Sequence, residues 1–282
     1  MTLLTLALVT FLVSLLAAAL GAAVGMAGGV FLVPVFTLLL GFDWDVAVAT
    51  SLLSVVASSS AAAPPALDAG LVNLRLSLVL EIATVTGSLI GVLLLVWDLL
   101  PRALLFALFA LILVASAIQV LRPRRDHASG RRPGDRWARP LRLDAVVTEP
   151  SGPRPYVVHR VLPGMGLMLG AGTLSTLLGI GSGVLKIPAM DATLGLPVKI
   201  SSGTANLMIG VTTCGTAAAV LLHHSAGHLG VAGAVVIGSV LGSIGGARLL
   251  VHLPGQVLRV GLGILLAALS VPMLVVAVGG GR

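Results

Sequence analysis

The chain has 282 residues, of which 57% are hydrophobic and only 10% charged, and its 17 Lys+Arg against 10 Asp+Glu give a formal net charge of +7. A soluble domain carries about 25% charge, so this chain lacks the residues to cover a water-facing surface and reads as an all-α polytopic membrane protein in contact with the lipid bilayer. The basic excess is not a nucleic-acid footprint: ten of the basic residues lie between Arg122 and Arg160, in one loop, where such residues set topology.

From the N-terminus, residues 3–41 form an uncharged run of 39 residues. Residues 1–20 lack the basic start of a signal peptide and the apolar run continues past them, so they read as an uncleaved membrane segment. The run is too long for one upright span, since about 20 residues cross a bilayer. The stretch Gly25-Met26-Ala27-Gly28-Gly29-Val30-Phe31-Leu32-Val33-Pro34 interrupts it with the residues that weaken helices most. The expected course is a full helix to about Gly21, a break over 25–29, and a short helix to Leu40. Trp44, in the Asp43-Trp44-Asp45 loop, is placed as an interfacial anchor. A hydroxyl-rich span over 46–63 ends at Pro64-Pro65. Spans over 76–97 and 103–121 follow, the first carrying Gly87 and Gly91 at the spacing that lets helices approach closely.

Residues 122–160, rich in Arg, Pro and Gly, read as a mobile linker without apolar periodicity. Residues 161–195 then form a second broken run, with Gly179-Ile180-Gly181-Ser182-Gly183-Val184-Leu185-Lys186-Ile187-Pro188. Spans are expected over 200–222, 229–250 and 257–278. Gly29/Gly183, Val30/Val184, Pro34/Pro188, Gly41/Gly195 and Thr50/Thr204 share an offset of 154, and Gly238 and Gly242 answer Gly87 and Gly91. The chain is therefore two homologous halves, 1–121 and 161–282, joined by the linker 122–160. It has about 8 full spans, or 10 when the broken half-helices count separately. Ten segments make the halves inverted repeats and place Lys199, Arg248 and Arg259 on the side of the Arg-rich loop; eight make them parallel. The positive-inside tendency favours inversion, with the Arg-rich loop cytoplasmic.

The paired Gly-then-Pro motifs, the hydroxyl-rich helix after each, and the Gly-x-x-x-Gly helices leading to Pro101 and Pro254 resemble the TauE/SafE family of sulfite and organosulfonate exporters over nearly the whole length. The family motif usually carries three or more glycines, whereas Ala27 and Ser182 interrupt the clusters here and Lys186 stands where an apolar residue is more usual. The resemblance implies an inner (plasma) membrane protein that exports small anions by secondary transport, using a proton or sodium ion for coupling and no cofactor.

Helix breaks at mid-membrane expose backbone N–H groups suited to anions. This makes Gly28, Gly29, Gly181, Ser182 and Gly183 the first substrate-binding candidates, although close packing of small residues explains the same pattern. Lys186, within an apolar run, is costly there by about 2.5–3.5 kcal/mol. It should face an anion, a cavity or an acidic partner such as Glu81 or Asp191, either of which could instead carry protons, unless its stem snorkels to the interface. Thr50, Ser51, Thr204 and Asn206 could donate to an oxyanion, or bond their own helix backbone. His223, His224 and His228 read as interfacial residues rather than metal ligands, and the lone Cys214, which excludes an internal disulfide, reads as a packing residue. No enzyme is expected. An anion channel is the alternative, and an intramembrane serine protease on Ser182 has no mid-span histidine to serve it. The sequence leaves a homo-oligomer open.

Overall fold

The computed structural model describes residues 3–24, 26, 28–97, 99–121, 135–149, 152–223, 229–252, 264, 267–268 and 270–276. Helix α1 (Leu3–Val24) precedes the first break. Helix α2 (Gly29–Pro34) follows and runs into a π-helical turn, Val35–Leu39. Next come α3 (Trp44–Asp68), α4 (Leu74–Val96) and α5 (Arg102–Leu121). A short hairpin, β1 (Ala145–Glu149) and β2 (Gly152–Tyr156), interrupts the helices. Then α6 (Val161–Leu178), α7 (Gly183–Ala189) with its own π turn Met190–Leu194, α8 (Val198–His223) and α9 (Leu229–His252) follow. Residues 270–276 are again helical. Stretches within α1, α3, α4, α6 and α8 are long and apolar enough to cross a membrane, and Gly29–Leu39, Arg102–Ile118 and Val231–Gly246 are shorter apolar helices. The fold is that of a multi-pass α-helical membrane protein.

Side chains are sorted as a lipid solvent requires. Leu4, Leu8, Leu12 and Leu16 form an exposed stripe down α1, and Leu78, Ile82, Leu89 and Leu93 do so on α4. Small hydroxyls go inside, where they bond carbonyls of their own helix: Thr84 to Leu80, Ser116 to Ile112, Ser239 to Val235. Ser54 and Ser239 also meet across α3 and α9 at 2.5 Å.

Helix α1 lies along α9, α4 lies along α6, and α3 lies between α8 and α9. The glycines set these distances: a Cβ on Gly87 would meet the Leu169 carbonyl at 2.0 Å, and one on Gly242 would meet the Leu15 carbonyl at 2.1 Å. The register fixes direction. Gly87 and Gly91 face Leu169 and Thr173, and Gly238, Gly242 and Gly246 face Phe11, Leu15 and Ala19, so both pairs run parallel. In contrast, Gly203 abuts Leu71 beyond the end of α3 while Gly210 abuts Ser59 within it, so α3 and α8 run antiparallel.

Four expectations from the sequence need correction. Helix α3 passes through Pro64 and Pro65 to Asp68. A proline's φ is already helical, and the bonds lost are only those to the Ser60 and Ala61 carbonyls near the helix end. Trp44 is buried rather than interfacial, edge-on to Phe106 at 4.7 Å and Phe109 at 6.1 Å. Cys214 is exposed on α8 beside exposed Val211 rather than in packing.

The last correction concerns the linker, whose second part is ordered and docked rather than mobile. Leu143, Tyr156 and Val158 are buried, and Asn73 donates to the Leu143 carbonyl at 2.8 Å and the Tyr156 hydroxyl at 2.9 Å while its Oδ1 caps α4. Asp135 and Asp144 accept from the Val161 and Val158 N–H groups. Burial raises the Tyr156 phenol above its ordinary pKa. His224, His228 and most of the expected last span lie outside the described residues.

The glycine seams predict a sharp size limit. Gly87→Leu or Gly242→Leu should destabilise the folded protein by about 1–3 kcal/mol or more, read as a lower melting temperature in detergent. Gly166→Ala, which meets nothing within 4 Å, should leave it unchanged.

Candidate functional site

Each break begins where a helix loses its ladder. Gly179 (φ +65°) and Gly181 (φ +69°) take left-handed values that favour glycine. With Ile180 N–H on the Ser175 carbonyl at 3.2 Å and Gly179 N–H on Thr176 at 3.3 Å, α6 closes in a Schellman motif. At the first break Met26 N–H reaches the Gly21 carbonyl at 2.9 Å, the same bond at the 154 offset.

The two breaks touch. A Cβ on Gly29 would lie 3.0 Å from the Ile180 carbonyl and 2.4 Å from the Val55 side chain. One on Gly183 would lie 3.0 Å from the Met26 carbonyl and 2.6 Å from Ile209. Met26/Ile180, Gly29/Gly183 and Val55/Ile209 are all pairs at 154, so each half makes on the other the contact it receives. Ser51 ties the seam: its hydroxyl donates to the Gly179 carbonyl at 2.7 Å and lies 3.2 Å from that of Gly29. The residue at its counterpart position is Ala205. Ser182 is fully buried at the start of α7, and its hydroxyl has no hydrogen-bond partner among the described residues.

One turn beyond, Lys186 is wholly buried, at 0% exposure. Its ammonium donates to the Thr212 hydroxyl on α8 at 2.8 Å and stands 3.5 Å from the Glu81 carboxylate on α4. Thr212 in turn bonds Glu81, and its oxygen lies 2.8 Å from the Met208 carbonyl. The lysine therefore does not snorkel. Three helices bring together a cation, a carboxylate and a hydroxyl that can turn toward either of two acceptors.

The remaining candidates separate. Gly29, Ser51, Gly181, Ser182 and Gly183 gather at the crossing. Gly28 packs on the α1 backbone, where a Cβ would meet Ala17 at 2.7 Å. The Thr50 hydroxyl bonds the Val46 carbonyl of its own helix. Thr204 accepts from the Asn73 N–H at 3.1 Å, and so tethers α8 to the turn before α4. Asn206 is buried on α8, and Asp191 sits in the π turn after α7. Thr212 escaped the sequence reading because it is one hydroxyl among many; the charges of Lys186 and Glu81 within apolar spans pointed toward the triad. No group of His, Cys, Asp and Glu suited to a metal occurs among the described residues.

A family described as sulfite exporter TauE/SafE matches residues 10–273. The match covers nearly the whole chain, and the protein belongs to that family. Neither the curated proteins nor the solved structures compared with the chain include a match.

The triad makes a stability prediction. Lys186→Met leaves Glu81 buried without its counter-ion and should cost about 3–5 kcal/mol. Lys186→Met combined with Glu81→Gln should recover most of that loss. Thermal unfolding of the three proteins in detergent measures it; equal loss in single and double variants would mean that the two groups do not interact.

Proposed function

We propose that this member of the sulfite exporter family is a secondary transporter that carries small oxyanions or sulfonates out across the inner membrane, binding them where the two helix breaks cross. The observation that carries this reading is the crossing itself: two interrupted helices touch at glycine, with a buried cation one turn away. Interrupted helices at the interface of two repeats are the usual place for a transporter's substrate. Ahead of the Phe31, Leu185 and Lys186 N–H groups, which bond the Gly28 and Ser182 carbonyls, the first N–H groups of α2 and α7 have no carbonyl upstream in their own helix. Ser182 adds a buried hydroxyl without a hydrogen-bond partner among the described residues, and Lys186 adds positive charge. An anion satisfies all three.

We further propose that the halves, 1–121 and 161–282, are inverted repeats. Inversion requires equivalent helices to point opposite ways, and the antiparallel register of α3 against α8 supports it. The parallel pairs α1/α9 and α4/α6 exchange under the same operation. Eleven residues of half-helix, Gly29–Leu39, span about 16 Å, or half of a bilayer core near 30 Å. This fits ten segments, with Asp43 and Pro197 on opposite faces and the Arg-rich linker in the cytoplasm.

Two measurements test these statements. In proteoliposomes loaded with sulfite or a sulfonate, Lys186→Met/Glu81→Gln should transport about tenfold or more slowly than Glu81→Gln alone, since a hydrogen bond to a charged partner is worth about 1.5–3 kcal/mol. Equal flux in the two folded proteins would remove Lys186 from the site. For topology, single cysteines at positions 43 and 197 in a Cys214→Ala background should react with an impermeant thiol reagent from opposite sides of oriented vesicles. Labelling from one side would make the repeats parallel.

A further inference from the structure

The triad occurs once, with Glu81 from the first half and Lys186 and Thr212 from the second. At the offset of 154, Leu32 answers Lys186 and Ser58 answers Thr212; at the offset of Gly87 and Gly238, Ala232 answers Glu81. Both charged groups are almost removed from solvent, Lys186 at 0% and Glu81 at 9% exposure, and the pair is neutral as it stands. Suppose a monovalent anion takes the Lys186 ammonium. Glu81 then remains buried as a second negative charge facing one positive charge, and an uncompensated buried charge is severely disfavoured. One proton on Glu81 removes the excess. The exchange balances: the Lys186–Glu81 ion pair, one anion and one proton become a Lys186–anion pair and a neutral Glu81 carboxylic acid. Only an O–H bond forms, and the buried site has zero net charge before and after.

Thr212 is built for both states. Its oxygen accepts from Lys186, and its proton has two acceptors within reach, the Glu81 carboxylate and the Met208 carbonyl. With Glu81 ionised the hydroxyl donates to the carboxylate. With Glu81 protonated it turns to Met208 and accepts the new acid proton.

We propose that Glu81 is the proton-carrying residue of this transporter: anion binding at Lys186 and protonation of Glu81 are one event, with one proton per monovalent anion and no net charge moved. The proposal rests on the reading that the anion binds at Lys186, and it names the coupling ion. Other titratable groups on the packed elements are few. Helix α6 has none, α8 has Lys199, Cys214 and His223, α5 has Arg102 at its first residue, α4 has Arg75 in its first turn, and the π turn after α7 has Asp191. Of these, Arg75, Arg102 and Cys214 make no hydrogen bond to the Glu81 carboxylate among the described residues, whereas Thr212 does and Lys186 pairs with it.

The test uses methanesulfonate, a strong-acid anion that carries no titrating proton of its own near neutral pH, alongside sulfite. Calorimetry measures binding to the purified full-length protein, and a pH-sensitive dye in weak buffer measures protons taken up. Wild type should take up one proton per methanesulfonate, with an apparent dissociation constant that rises about tenfold per pH unit. Glu81→Gln should still bind, without proton uptake and with affinity flat in pH. In vesicles clamped with potassium and valinomycin, wild-type flux should ignore membrane potential and Glu81→Gln flux should follow it. Anion binding by wild type without proton uptake, or unchanged uptake in Glu81→Gln, overturns the proposal and leaves the anion site standing. No binding of either anion to either protein overturns the anion site, and this proposal with it.

Discussion

A helix interrupted inside a bilayer leaves backbone N–H and C=O groups that no solvent can satisfy, and only protein can make such a break tolerable. This chain resolves the difficulty by placing one break against the other. Gly29 lies on the Ile180 carbonyl and Gly183 on the Met26 carbonyl, with Val55 and Ile209 capping the two contacts. Everything nearby follows from that seam. Glycine is needed because a Cβ has nowhere to go, and the left-handed turns at Gly179 and Gly181 bring the second break into position. The flanking helices must close tightly around both, which the glycine faces of α4 and α9 allow on α6 and α1.

The seam is symmetric and the charge is not. A buried ion pair is poor evidence of stability, because the desolvation of both ions offsets most of their attraction. The chain supplies its own comparison. At the position equivalent to Lys186, Leu32 is just as buried and packs in the same architecture without a charge. The architecture therefore accommodates an uncharged side chain at that position. The presence of Lys186, Glu81 and Thr212 at one side of the crossing supports the proposed role at an ion rather than a role in packing.

Much of this was legible in the sequence because it depends on backbone chemistry. Glycine and proline leave a signature at fixed spacing, so both breaks, the offset of 154 and the helix boundaries on either side were readable within a few residues. The family was readable for the same reason. What escaped depends on partners distant in sequence. Nothing local marks Thr204 as the acceptor of Asn73, nor Thr212 as the link between Lys186 and Glu81. The hairpin of β1 and β2 was invisible because both strands have only five residues and β2, Gly-Pro-Arg-Pro-Tyr, shows no period, while Tyr156 is held by Asn73. Trp44 misled for the opposite reason: its position beside Asp43 and Asp45 matched an interfacial belt, yet Phe106 and Phe109 draw it inward. Pro64-Pro65 looked like a stop because proline usually ends helices, but the lost bonds fall near a helix end.

The tightness of the seam also constrains how an anion could pass. A single methyl group on Gly29 or Gly183 would already press into the Val55 or Ile209 side chain and stand only 3.0 Å from the opposite carbonyl, and an oxyanion is larger than a methyl. The described arrangement is thus a closed one, and the glycines cannot hold substrate while they hold each other. Any conformation that admits an anion must part Gly29 from Ile180 or Gly183 from Met26, and doing so exposes the carbonyls and N–H groups that the contact had covered. On the proposed reading, gate and site are then the same residues. If the halves are the inverted repeats proposed above, parting the seam toward one face opens one half's break, and the equivalent motion of the other half opens toward the opposite face. Two such copies of one glycine break would give alternating access from a single contact, with Lys186 and its partners proposed to fix what enters it.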